Sequence, residues 1–250
     1  MRSQRRAGGE ADLVPILTIA AYKGGVGKTT LALELAYLLD AVLVDLDWDD
    51  GGASRRWGYR HTQRVDPHSI TTPIDKARTP RVLAGRAKAD LVPMDPDLNI
   101  HDYDADTITD ALETWAGEWG REWVVVDTHP GNNAITAGAM AAAHTVLVPS
   151  PLAVGELDGL EGLLRETANF RLLLVPNKVR RSPAMTTLKR LAALADDHNV
   201  PVGPAVSLYP SLETRQQKMA VSAISPTPAR WDKYVQELHE VADEVKRMAK

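Results

Sequence analysis

The chain has 250 residues, 44% hydrophobic and 25% charged, with a formal net charge of -4 and no cysteine. That length supports a full core without covalent staples, and the absent cysteine excludes disulfides, thiolate-held zinc, cysteine-ligated iron–sulfur clusters and cysteine nucleophiles. Apolar runs such as Val124–Val126 and Val146–Val148 fall far short of the ~20 residues that span a bilayer, and the arginines of Met1–Gly9 precede no apolar stretch of secretory-signal type, so a soluble, cytoplasmic protein is expected.

In chain order, a flexible arm over residues 1–14 leads into a single domain over 15–250. Ile16–Ala21 reads as a short buried strand, followed by a glycine-rich turn and a helix over Thr29–Leu39 with Leu31, Leu35, Leu38 and Leu39 at helical spacing. Ala41–Val44 is a second strand ending in acidic residues. Gly51–Ala89 is strongly basic, and its part Val65–Pro80, rich in turn formers, is expected to be surface loop. Asp90–Gly120 carries only acidic charge and includes a helix over Ala105–Trp119. Strands are expected at Trp123–Val126, Thr145–Val148, Leu172–Val175 and Ala205–Leu208. Helices are expected at Ala134–Ala143, Gly155–Asn169 and Pro183–Asp197, and an amphipathic one closes the chain at Pro228–Lys250. Near-continuous apolar strands alternating with helices predict an α/β fold with a mostly parallel sheet covered on both faces.

The chemistry starts at Lys23-Gly24-Gly25-Val26-Gly27-Lys28-Thr29-Thr30, between a strand and a helix. The glycines let backbone N–H groups wrap a phosphate chain, and the helix N-terminus adds positive potential. Lys28 supplies charge to the β- and γ-phosphates, and the Thr29 hydroxyl is placed for Mg²⁺. Tyr22 stands where the usual motif has its first glycine. Asp45 and Asp47 close one strand and Asp127 another, at the carboxyl ends where open α/β sheets place ligands.

The octet resembles the deviant Walker A motif of the ParA/MinD family of P-loop ATPases. The resemblance implies the P-loop NTPase fold, ATP and Mg²⁺ as ligands, and binding of the nucleotide by Gly24 through Thr30. It implies that Lys23 reaches the phosphates of a partner subunit in a homodimer formed on ATP. Val42–Asp47 looks like the family's second motif, in which Asp47 positions the attacking water and Asp45 supports the metal shell. Val124–Thr128 looks like Walker B, with Asp127 on Mg²⁺. Asn177, in Val175–Lys178, matches the adenine-recognition position. Two departures stand out: Trp48 and Asp49 replace the family's proline and glutamine after Asp47, and His129-Pro130 replaces a proline pair, leaving His129 as a γ-phosphate contact or a loop filler.

Without cysteine, the nitrogenase-reductase-like and iron–sulfur carrier branches are excluded. The mixed charges on the polar face of Pro228–Lys250 argue for a core helix and against a membrane anchor. The resemblance therefore implies a small ParA-type partition ATPase, slow alone and stimulated by a ParB-like centromere-binding adaptor, nucleoid-associated through non-specific DNA binding. Candidate DNA contacts are Lys178, Arg180, Arg181, Lys189 and Arg190, with Arg215 and Lys218 on a helix expected after Leu208-Tyr209-Pro210. A MinD-like or ParA-like ATPase that positions a protein cargo or marks a membrane site is the alternative.

Overall fold

The computed structural model describes residues 13–49, 52–60, 68–213, 215 and 218–250. Most of the expected N-terminal arm, together with Arg64 and Asp66 of the basic segment, lies outside them. Six strands form one sheet: β1 (Ile16–Ile19), β2 (Ala41–Leu46), β3 (Asp90–Val92), β4 (Trp123–Thr128), β5 (Thr145–Ser150) and β6 (Leu172–Pro176). Their order is β3-β2-β4-β1-β5-β6, and every pairing is parallel. The first strand is central, so the turn after it opens at the sheet's carboxyl edge, where chain connections part to either side and α/β folds bind ligands.

The near-continuous apolar strands are buried on both faces because successive side chains alternate between two helical layers. Leu17, Ile19, Leu43, Val125 and Leu147 pack against α1 (Lys28–Leu38) and α9 (Ala229–Met248). Their neighbours Ile16, Val42, Val44, Val124 and Val126 face α4 (Ala105–Glu118) and α5 (Ala134–Ala142). Farther along that second face, Val146, Val148, Leu172 and Leu174 meet α6 (Val154–Glu166) and α7 (Met185–Asp197). The stripe of α9, including Trp231, Tyr234, Leu238, Val241 and Val245, lies wholly in the first layer, so the core takes the apolar face a bilayer would need. Among the described residues, no helix is long and apolar enough to cross a membrane.

The structure corrects the sequence reading in three places. The strand expected at Ala205–Leu208 does not form: this stretch runs beside β6 and Val179, with Val206 N–H donating to Pro176 O at 2.8 Å and Leu208 N–H to Val179 O at 2.9 Å, yet it makes only isolated bridges. Pro201 and Pro204 bring no N–H to the ladder, and Lys178 takes a left-handed φ of 54° that turns the chain out of β6. Strand β3 went unseen because three residues are too few to show a period. The part of the basic segment expected as loop, Val65–Pro80, contains a short helix, α3 (Thr71–Asp75), and a second one, α2 (Ala53–Trp57), stands earlier in the same segment.

One loop histidine ties the sheet together. His144 Nδ1 accepts from Ile16 N–H at 3.1 Å, and His144 N–H donates to Ile16 O at 2.9 Å, pinning the start of β1. Burial lowers the pKa of the ring below that of a free histidine, with Glu113 partly opposing. The folded state thus binds a proton less readily than the unfolded chain. Stability is held above the ordinary histidine pKa near 6.5 and falls as pH drops below it. A thermal melting series from about pH 7.5 to 5 is expected to show that decline, and His144→Asn, which keeps an acceptor at the Nδ1 position without a titration, to flatten it. Parallel curves would remove His144 as a cause.

Candidate functional site

The turn between β1 and α1 takes its shape from its glycines. Gly25 and Gly27 adopt positive φ of 80° and 101°, which L side chains rarely adopt. Gly27 is also pressed from behind: a Cβ there would fall 2.3 Å from Asn177 Nδ2. Asn177, buried at the end of β6, donates that amide to Val26 O at 2.8 Å and its N–H to Ser150 O at 3.2 Å, so it buckles the turn to the sheet. A cavity of about 30 Å³ lies beside it, lined by Gly27, Thr30, Leu208, Tyr209 and Leu212 among others. A wider cleft of about 580 Å³ opens next to Gly25, between Leu152–Val154 and Arg180–Ala184.

Lys28 opens α1 with its side chain turned inward, 6% exposed. Burial lowers its pKa, and Asp127 and then Asp47 push it back up. The two acids expected near the metal are cross-strand partners, since Asp45 of β2 is in register with Asp127 of β4, and both are fully buried. Asp45 is well satisfied: Oδ1 accepts from Asp47 N–H at 3.1 Å, and Oδ2 accepts from Ser54 N–H and Ser54 Oγ at 2.6 Å each. Burial still pushes it up to about 7. Gly52 lets α2 close over this pair, because a Cβ there would crowd Asp45 Oδ1 at 3.1 Å.

Asp127 is the opposite case. Neither of its carboxylate oxygens has a hydrogen-bond partner among the described residues. Burial, reinforced by Asp45, raises its pKa well above the ordinary carboxylate value; Lys28 and the facing Thr29 hydroxyl lower it only in part, the hydroxyl without completing a bond. Buried polar atoms are almost always paired, and hard divalent cations take carboxylate and hydroxyl oxygens. An orphaned carboxylate facing a P-loop threonine fits Mg²⁺.

Asp47 is half-buried on the loop after β2, its pKa raised by burial. The two departures from the family pattern meet here. Trp48 stacks on the His129 ring with centroids 4.0 Å apart and planes 5° from parallel, and His129 Nε2 lies 3.1 Å from Asp49 Oδ2. His129 is thereby held as a clamp on the loop that carries Asp47. This juxtaposition was invisible in the sequence, as were two contacts of α2: Ser54 on Asp45, and Arg56, whose Nη1 donates to Thr30 Oγ1 at 2.7 Å.

Lys23 is exposed. Its ammonium donates to Gly155 O at the start of α6, and its stem lies on Gly159, whose Cβ would sit 3.0–3.2 Å from it. Tyr22, in place of the motif's first glycine, donates to Glu166 on α6.

The basic candidates are not brought together. Arg180, Arg181 and Lys189 are exposed between β6 and the middle of α7, while Arg190 is engaged by Asp158 at 2.6 Å and Glu161 at 3.4 Å on α6. The stem of Lys178 flanks Gly27 at the turn. The helix expected to carry Arg215 and Lys218, α8 (Pro210–Glu213), ends before both. Arg215 donates to Met219 O at 2.7 Å and Lys218 Nζ to Arg55 O at 3.2 Å, so Lys218 belongs with α2, away from Arg180.

Comparison with known proteins agrees with this geometry. The AAA_31 family model, described as an AAA domain, matches residues 14–177. The chromosome partitioning protein ParA of Caulobacter vibrioides is 31% identical over 202 residues, 74% of each chain, and the chromosome-partitioning ATPase Soj of Thermus thermophilus is 31% identical over 172 residues, 64% of each. Apo McdA of Cyanothece superposes with a TM-score of 0.75 at 17% identity, covering 93% of this chain and 99% of that one. The septum site-determining protein MinD of Pyrococcus horikoshii, complexed with Mg-ADP, gives 0.68 at 18% identity, covering 94% and 97%. With its P-loop, its register-matched acids and these likenesses, the chain belongs to the ParA/MinD-type family of P-loop ATPases.

Proposed function

We propose that the protein is a ParA-like ATPase that dimerises on ATP, binds DNA without sequence preference, and partitions plasmid or chromosomal DNA with a ParB-like centromere-binding adaptor. The observation that carries the reading is Lys23, which is exposed at the turn and whose ammonium donates to Gly155 O on α6, while Lys28 is the lysine set against Asp127 and Asp47. A second exposed lysine at the turn, beside the buried Lys28, suits a phosphate held by a second subunit. The two 31% identical relatives named above are both partition proteins by name.

In the proposed reaction the turn amides and Lys28 bind the β- and γ-phosphates, and Asp47 orients the attacking water. Thr29 and Asp127 would hold Mg²⁺, with Asp45 supporting the metal shell. When bound, the ion neutralises charge developing on the γ-phosphate. Asp45 has three protein hydrogen bonds of its own, and it steadies Asp47 by accepting that residue's N–H. Asn177 supports the turn and stands at the proposed adenine position.

Lys23→Ala tests the reading. ATP affinity should stay within about threefold of wild type, while sedimentation velocity should show monomer where wild type is dimeric with ATP. Normal dimerisation of the variant would remove the cross-subunit role. Co-sedimentation with random-sequence DNA and with anionic liposomes, each with ATP and ADP, separates partition from the membrane-positioning alternative, because ATP-dependent binding to liposomes alone would favour the latter.

A further inference from the structure

The basic segment after β2 and the stretch around Lys218, far apart in sequence, form one face. Lys218 Nζ donates to Arg55 O, and its stem packs 3.5 Å from where a Gly58 Cβ would stand. Lys88 Nζ donates to Trp57 O at 2.7 Å and sits 3.3 Å from the centre of the Trp57 ring. Trp57 Nε1 in turn donates to Ala89 O, and Ala220 N–H to Ala87 O at 3.0 Å. Residues 52–60, 84–89 and 218–220 are therefore stitched together.

Within these three segments stand Arg55, Arg56, Arg60, Arg86, Lys88 and Lys218, and no Asp or Glu. In a chain of net charge -4, that segregation is not the ordinary mixed surface. Asp90, the acid next to the 84–89 turn, is taken by Arg121 at 2.5 Å and by Gly85 N–H at 2.8 Å. The pKa of Lys88 is lowered by burial and then by the nearby Lys218, so these two cations repel one another. None of the large exposed apolar side chains of the described residues (Leu13, Ile100, Val154, Met185, Val202) lies on these segments. A face without large exposed apolar side chains to insert is poorly matched to a lipid surface, whereas cations spread over three segments match a line of phosphates.

We infer that this face, built on α2, the 84–89 turn and Lys218, is a backbone-contact surface for duplex DNA, separate from the Arg180–Arg181 stretch. The inference rests on the DNA-binding reading above and gives it a location. It also places DNA one short helix from the nucleotide: on α2, the Arg55 carbonyl holds Lys218 while Arg56 touches the P-loop Thr30.

The test is fluorescence anisotropy of random-sequence duplex DNA with the full chain, ATP and Mg²⁺, across a salt series. Arg60 and Arg86 are both exposed, so Arg60→Ala/Arg86→Ala should melt like wild type. We expect it to bind at least about tenfold more weakly and to flatten the log K against log salt slope by about 2 per protomer. The paired lysine variant, Arg60→Lys/Arg86→Lys, should keep most of the binding, because backbone contact needs charge and not a fork. Unchanged affinity and slope in the alanine pair, with loss in Arg180→Ala/Arg181→Ala, would overturn the face and leave DNA binding standing. Absence of ATP-dependent DNA binding by wild type would overturn both. ATP-dependent binding of wild type to phosphatidylglycerol vesicles but not DNA, lost in the alanine pair, would overturn it in favour of a membrane surface.

Discussion

Asp127→Asn is expected to make the unliganded protein more stable while destroying its response to Mg-ATP. The two effects share one cause. Asp127 is buried beside Asp45 with neither oxygen bonded among the described residues, and its pKa is raised well above that of a free carboxylate. The unfolded chain ionises this acid near pH 3.9, the folded chain only at higher pH. Stability is therefore lost as pH rises between those two values, a penalty for ionising the buried acid. An amide has the same shape without the charge, so the penalty disappears; about 1 kcal/mol corresponds to a rise of roughly 2–4 °C for a domain of this size. Lys28 still faces Asp47 in the variant. Saturating wild type with Mg-ATP at a hundred times its Kd should add about 2.7 kcal/mol, and the variant should gain little of this. Thermal melting of both proteins, alone and with Mg-ATP, reads both signs. A variant that melts lower when unliganded would mean that Asp127 is ionised and compensated in the free protein, and the metal assignment would lose its basis.

Asp47→Ala is expected to reduce ATP turnover by about 10²–10⁴-fold, the usual range for a residue that positions or deprotonates the nucleophile, with ATP binding changed little. The replacement removes one loop contact, the Asp49 N–H bond to Asp47 Oδ1 at 3.3 Å, and the loop should survive on those that remain. The backbone N–H of residue 47 still reaches Asp45 Oδ1, and the Trp48–His129 stack and the Asp49–His129 pair remain. The variant should therefore accumulate as an ATP-bound dimer. Phosphate release measured in a single turnover checks the chemical step without the complication of product exchange. Turnover equal to wild type would take Asp47 out of the reaction.

What the sequence determined by itself was everything that depends on neighbours in the chain. The octet from Lys23 to Thr30 is legible because a phosphate loop is made by consecutive backbone amides, and its glycines, lysine and threonines have to stand in fixed order. Five of the six strands were legible because parallel strands covered on both faces need unbroken apolar runs, although the apolar run Ala205–Leu208 forms no strand. Asn177 is singled out in the sequence by its resemblance to the family's adenine-recognition position at the end of such a strand, but its grip on the Val26 carbonyl is not legible there.

Only the tertiary structure decided which distant side chains meet. Asp45 and Asp127 became a pair because β2 and β4 are adjacent in the sheet, although β3 intervenes in the chain. Trp48 found His129, Lys23 found Gly155 and Gly159, and Lys218 joined α2 and not Arg180. Short elements such as α2 and β3 carry too few residues for local propensity to declare them, and packing against the finished sheet is what holds them. The fold and the phosphate loop are written in local order, whereas the electrostatics of the acids and the placement of the basic face arise from strand order and burial, which no run of neighbouring residues encodes.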